Sequence, residues 1–216
     1  MTPIMRHFNL IHTLIFVASL TITGSAHSEV TDPVTTSSIP KATSSSATKQ
    51  NKLSLARAER LDELFGELKR EPNFGKAKRL ASRITINWSS SGSATANALM
   101  VWAQHAMRDG RNTDAMELLD QVIVLLPDYA EGWNRRATLH YVMRNYVKSM
   151  ADIEQTLSLE PRHFGALVGM ATILSAIGED DKALEVYERV LSIYPANRNA
   201  QASMIKLMQK LEKSEI

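Results

Sequence analysis

The chain predicts an all-α solenoid of stacked helical hairpins, and three observations carry that prediction. Pro127, Pro161 and Pro195 close three similar segments and stand 34 residues apart. Within each segment, two apolar stripes recur at helical spacing. Between the stripes stand Gly110, Arg144 and Gly178, where a helix ends on a residue in the left-handed conformation that glycine tolerates. Units of this length have apolar faces they cannot bury alone, so they must stack.

Each unit can be counted from 1 to 34, starting at Ala96, Ala130 and Phe164, which puts the closing proline at position 32. Positions 4, 7, 8 and 11 share one face of a first helix. They read Leu99, Trp102, Ala103 and Ala106, then Trp133, Arg136, Ala137 and His140, then Leu167, Met170, Ala171 and Leu174. Positions 20, 24 and 27 share one face of a second helix. They read Ala115, Leu119 and Val122, then Ser149, Ile153 and Thr156, then Ala183, Tyr187 and Val190.

This pattern of a large residue at 4, small residues at 8 and 20, a large residue at 24 and proline at 32 resembles the tetratricopeptide repeat, or TPR. The resemblance covers three repeats, 96–129, 130–163 and 164–197. The middle repeat departs from the family at Arg136 and His140, where apolar or aromatic residues are preferred, and at Ser149, where alanine is.

Upstream, residues 1–28 pair a short basic start at Arg6 with an apolar run from Leu10 to Ile22 and a small-residue end, the pattern of a secretory signal peptide. Cleavage is expected after Ala26 or Ser28, leaving no integral membrane span. Residues 29–52 are rich in Ser and Thr and poor in large apolar side chains, which predicts a disordered linker. Residues 53–95 place Leu61, Leu64, Phe65 and Leu68, then Ala77, Ala81 and Ile84, in the repeat register, so they predict a degenerate N-terminal repeat turning at Glu71-Pro72-Asn73. The stretch Trp88–Ala94 lengthens the junction to the next repeat and is the expected flexible point. Residues 198–216, with Asn197 as cap and Ala200, Met204, Leu207, Met208 and Leu211 as apolar stripe, predict a C-terminal capping helix.

Composition narrows the chemistry. The formal charge is +2, so no global field argues for nucleic acid or an anionic membrane. The absence of cysteine removes disulfides, zinc-thiolate sites and thiol nucleophiles. No phosphate loop, nucleophile elbow or HExxH pair is present, so neither enzymatic activity nor a cofactor is expected. His105 and His140 fall at positions 10 and 11 of neighbouring first helices but lack a third ligand, which favours packing over metal. His163 is expected to face solvent. Asn87-Trp88-Ser89 fits the N-glycosylation pattern.

The TPR resemblance implies that positions 2, 5, 9 and 12 of the first helices line a concave groove for a partner peptide. The candidate groove residues are Asn97, Met100, Gln104, Asn134, Arg135, Thr138, Tyr141, Val168 and Thr172. Groove lysines, which some TPR domains use to clamp a C-terminal carboxylate, are missing from the corresponding positions of all three repeats. The resemblance also extends to small exported TPR proteins of Gram-negative bacteria. It implies a periplasmic or secreted adaptor or assembly scaffold for a protein or peptide partner. A self-associating homo-oligomer of the cell envelope is the alternative.

Overall fold

The computed structural model describes residues 43–214, so the expected signal peptide and residues 29–42 of the expected linker lie outside the described residues. The described residues form nine helices and no strand. These are α1 (Thr43–Arg70), α2 (Phe74–Ser89), α3 (Ala94–Arg108), α4 (Asn112–Leu125), α5 (Ala130–Val142), α6 (Tyr146–Leu159), α7 (Phe164–Ala176), α8 (Asp180–Ile193) and α9 (Arg198–Ser214). The linker expectation is corrected from Thr43 onward, where the chain is already helical. Once the apolar residues after Leu61 nucleate α1, each further residue adds a backbone bond at little cost, and the polar stretch is carried along.

Three hairpins, α3–α4, α5–α6 and α7–α8, stack in order, with α4 on α5, α6 on α7 and α8 on α9. The second-helix face is buried as its spacing predicts, at Ala115, Leu119, Val122, Ser149, Ile153, Thr156, Ala183, Tyr187 and Val190. Small residues at position 8, Ala103, Ala137 and Ala171, let the helices approach within each hairpin. Gly132 does the same between repeats, since a Cβ there would lie 3.0 Å from Val122 Cγ1. All three hairpins turn alike, with Arg111, Asn145 and Glu179 donating their backbone N–H to Ala106, His140 and Leu174. Gly110, Arg144 and Gly178 hold φ of 73°, 60° and 87° within those turns.

The N-terminal hairpin α1–α2 forms, with Leu64, Phe65, Leu68, Ala77, Ala81 and Ile84 buried, and turns at residues 71–73 where Asn73 caps α2. It does not extend the stack. Helix α2 packs on α5 and α1 on α8, so the hairpin lies along the row of turns that joins one repeat to the next. The longer junction permits this: Ser90–Ser93 replaces the closing proline, and Gly92 takes φ 81°. The junction is also more ordered than its composition suggests. Ser91 donates backbone N–H and hydroxyl to Asn97 Oδ1, at 3.0 and 2.7 Å, and Ser93 caps α3.

That placement corrects one further expectation. Trp102, expected on the packed face, is 58% exposed, because no second helix precedes α3 in the stack to cover it. The glycosylation pattern sits on α2, where Asn87 Oδ1 accepts from Arg57 Nε at 3.0 Å. At the other end, Asn197 caps α9, and Ala200 and Leu207 are buried against α8. Met208, expected in that apolar stripe, is instead exposed. No helix among the described residues is long and apolar enough to cross a membrane.

Candidate functional site

The first helices of the second and third repeats, α5 and α7, enclose a cavity of about 220 Å³. Asn134, Thr138 and Tyr141 come from α5, Val168 and Thr172 from α7, and Ile153 closes the back from α6. Gly165 and Gly169 line the hollow without side chains, and a Cβ at Gly169 would lie 3.4 Å from Ile153 Cδ1 at its back. Five of the nine candidate residues thus meet in one place. Thr138 donates its hydroxyl to Asn134 O, and Thr172 to Val168 O, so both hydroxyls are held by their own helix backbones. The Tyr141 ring rests on Tyr146, with centroids 5.7 Å apart, and is 37% exposed at the mouth.

The first repeat does not join this site. Met100, expected in the groove, is buried in the core of α3 and α4. Asn97 is committed to the Ser91 loop, and Gln104 is exposed but lines no part of the cavity. Arg135 is turned away from the cavity lining as well and pairs with Glu131 at 2.8 Å.

Glu131 holds position 2 of the second repeat, in the groove stripe, but is not among the candidate residues. Its carboxylate is buried and accepts from Asn134 Nδ2 at 2.9 Å and Arg135 Nη2 at 2.8 Å, with His163 Nε2 at 3.2 Å. An acid in the first turn of a helix, followed by Asn and Arg three and four residues on, was the signal available in the sequence. His163 corrects the expectation of a solvent-facing histidine. It is buried, its Nδ1 accepts from Ala166 N–H to cap α7, and its ring stacks on Trp88 at 4.1 Å and 12°. With Nδ1 accepting, Nε2 carries the proton donated to Glu131.

A chain of contacts therefore runs from the N-terminal hairpin to the cavity wall: Trp88, His163, Glu131, Asn134. Tyr129 reinforces it. Burial pushes the Tyr129 phenol up to about 12, so it remains a donor, bonded to Ser89 O at 2.9 Å.

Burial alone would raise the Glu131 carboxyl; the hydrogen bond from His163 and the Arg135 charge instead hold it below its ordinary value. A depressed folded value contributes stability above the unfolded value and loses it as pH falls through the folded one. Unfolding free energy is therefore expected to decline below about pH 4.5, the ordinary value. In Glu131→Gln, denaturant titrations from neutral to acid pH should show a shallower decline; equal slopes would remove this role.

The two histidines weighed as metal ligands are committed elsewhere. His105 is exposed beside Arg108, while His140 is buried with Asp152 at 3.8 Å. Burial lowers the His140 value, which makes the ring neutral at neutral pH. Among the described residues, no group of three His, Cys, Asp or Glu side chains converges to hold a metal.

Stacked two-helix units with a small-residue seam, proline-closed turns and a hollow on their first helices define a helical repeat solenoid. No family model matches the chain. A TPR repeat-containing protein of Rhizobium etli is 54% identical over 162 residues, which is 75% of this chain and 79% of that protein. The chain belongs to the tetratricopeptide repeat family.

Small glutamine-rich tetratricopeptide repeat-containing protein 2 of Saccharomyces cerevisiae is 26% identical over 140 residues, or 63% of this chain and 40% of that protein. Among solved structures, the first TPR of Spaghetti (RPAP3) bound to an HSP90 peptide superposes with a TM-score of 0.53 at 20% identity. It covers 56% of this chain and 95% of that one. The Sgt2 TPR domain of Aspergillus fumigatus gives 0.52 at 17% identity, with 57% and 83% covered. Likeness at these identities is likeness of fold.

Proposed function

We propose that the protein is an exported adaptor or assembly scaffold that holds an extended segment of a partner protein, noncovalently, in the groove between α5 and α7. The cavity carries this reading. It is walled by Ala137, Val168 and Ile153, offers room for one bulky apolar side chain, and has the Asn134 amide on its wall to bond an extended backbone. Peptide complexes of structural neighbours agree with it: one is the Spaghetti domain with its HSP90 peptide, another the TPR2B domain of yeast Sti1 with an Hsp70 peptide. The partner here is a different one, because the lysines that would grip a terminal carboxylate are missing from the groove. Export to the periplasm belongs to the same reading and rests on the composition of residues 1–28.

A rigid solenoid spares the partner part of the ordering cost, while a groove this short limits affinity and suits reversible assembly. Filling the cavity tests the reading. Val168→Trp, checked for unchanged helical content, is expected to lower recovery of an envelope partner at least tenfold relative to the parent in quantitative pull-down, as should Asn134→Ala/Tyr141→Ala. Full recovery with the cavity filled would place binding elsewhere. Cell fractionation with N-terminal sequencing of the mature chain checks the export step.

A further inference from the structure

The turn between α5 and α6 differs from its counterparts in the other two repeats in conformation, polarity and charge. At its left-handed position the first and third repeats have Gly110 and Gly178, but this one has Arg144 at φ 60°. A side chain in that region carries a standing conformational cost that glycine avoids. The backbone gains nothing by it, since Arg144 N–H and Asn145 N–H make the same closing bonds as in the glycine turns.

The residues around Arg144 are apolar and bare. Val142 is 60% exposed, Val147 86% and Met143 40%, and the tilted Tyr141–Tyr146 pair lies beside them. Arg144 and Lys148 are the only charges between His140 and Asp152. Both are exposed, and neither forms an ion pair among the described residues. In the neighbouring turns Arg111 is paired with Asp109 and Asp114, and Lys182 with Glu179, while Arg108 lies against the His105 ring. Two uncommitted cations among exposed apolar side chains call for a ligand that is anionic and apolar at once. Tyr141 joins this surface to the cavity, because it lines the one and packs on the other.

We infer that the α5–α6 turn continues the groove and takes an acidic, apolar stretch of the partner peptide. In this arrangement an Asp or Glu pairs with Arg144 and Lys148, and a neighbouring apolar residue lies on Val142 and Val147. The inference rests on the groove-binding reading and deepens it. A peptide fits better than an anionic lipid surface. The flanking turns on the same edge balance their cations with Asp109, Asp114 and Glu179 and add Asp181, so they offer an anionic bilayer no net positive charge, whereas the single α5–α6 turn suffices for one peptide chain.

The test selects a displayed library of random short peptides against the full chain. The affinity of a selected peptide is then measured for the parent and for Arg144→Gly, Lys148→Ala and Val168→Trp. Selected sequences are expected to pair a bulky apolar residue with Asp or Glu. Arg144→Gly should weaken binding about tenfold, the scale of a lost charge-assisted bond, while raising Tm by roughly 2–4 °C as the turn relaxes. Opposite signs separate a binding role from a folding defect, and amidating the peptide acid should bring the parent to the affinity of the variant.

Peptides without acids, or affinities unmoved by Arg144→Gly and Lys148→Ala, would overturn the inference. If Val168→Trp still abolished binding, the groove reading would survive. No enrichment at all would overturn both. Binding confined to phosphatidylglycerol vesicles would replace the peptide with a lipid.

Discussion

Trp88→Ala is expected to cost about 3–5 kcal/mol, the range for truncating a buried aromatic, and to free the N-terminal hairpin before the repeats unfold. The indole is 7% exposed and forms the keystone between α1–α2 and the turns of the solenoid. It stacks on His163 at 4.1 Å, meets Phe164 at 5.0 Å and lies 5.8 Å from Phe65. Removing it opens a void where three elements meet and uncovers a histidine whose partner is a buried carboxylate. What then holds the hairpin is a reduced apolar contact with Tyr194 and Ala196, the Tyr129 bond to Ser89 O, and two exposed contacts, Arg162 with Asp62 at 2.6 Å and Arg198 over the Phe74 ring. The exposed contacts are worth little.

Hydrogen exchange should therefore show α1 and α2 losing protection while α5 to α8 keep theirs, and denaturation should become biphasic. A single transition with uniform protection would show that the hairpin is held by something other than this indole. Trp88 Nε1 has no acceptor among the described residues, so its contribution is packing. Trp88→Phe is accordingly the mild control.

The stacked repeats were legible because their information is periodic: Ala103, Ala137 and Ala171 recur where two helices must touch, and the prolines recur where a helix must stop. The cavity was legible in part: register brings Asn134, Thr138, Tyr141, Val168 and Thr172 together, whereas Asn97, Met100, Gln104 and Arg135 do not line it. What register cannot encode is which surface an element meets. Leu64, Phe65 and Leu68 announce a hairpin but not that it packs along the turns rather than on α3. Met100 and Trp102 consequently exchanged their expected places, one into the core and the other into solvent. His163 looked like a turn residue because its stacking and hydrogen-bond partners, Trp88 and Glu131, lie 75 and 32 residues away in the chain.

Arg136, one of the middle repeat's departures from the family pattern, is compensated by a buried ion pair, and breaking that pair at Asp152 is expected to cost about 3–5 kcal/mol, as for a buried pair that loses one member. Arg136 stands where the third repeat has Met170. Its guanidinium forks onto Asp152 at 2.9 and 2.8 Å and reaches back to Asp120 of the previous repeat at 2.7 Å. Asp152 is buried, whereas Asp120 is half exposed. Ser149, another departure, satisfies its buried hydroxyl on Ala137 O at 2.8 Å.

Asp152→Ala therefore strands a largely desolvated cation that keeps only its weaker partner. Asp120→Ala removes a screened contact, worth at most about 1 kcal/mol. The decisive variant is Arg136→Met/Asp152→Ala, which removes both charges and restores the side chain of the third repeat. It should recover most of the stability lost in the single variant, within about 1 kcal/mol of the parent, because an apolar pair in place of a buried ion pair is close to neutral. Urea denaturation of the parent, Asp152→Ala, Arg136→Met and the double variant gives the coupling directly. Additive losses would mean that the fork is incidental and that the middle repeat is held by its alanine seam alone. Strong coupling would identify it as the joint that sets α5 against α4 and α6, and so fixes the wall of the groove that carries Asn134 and Tyr141.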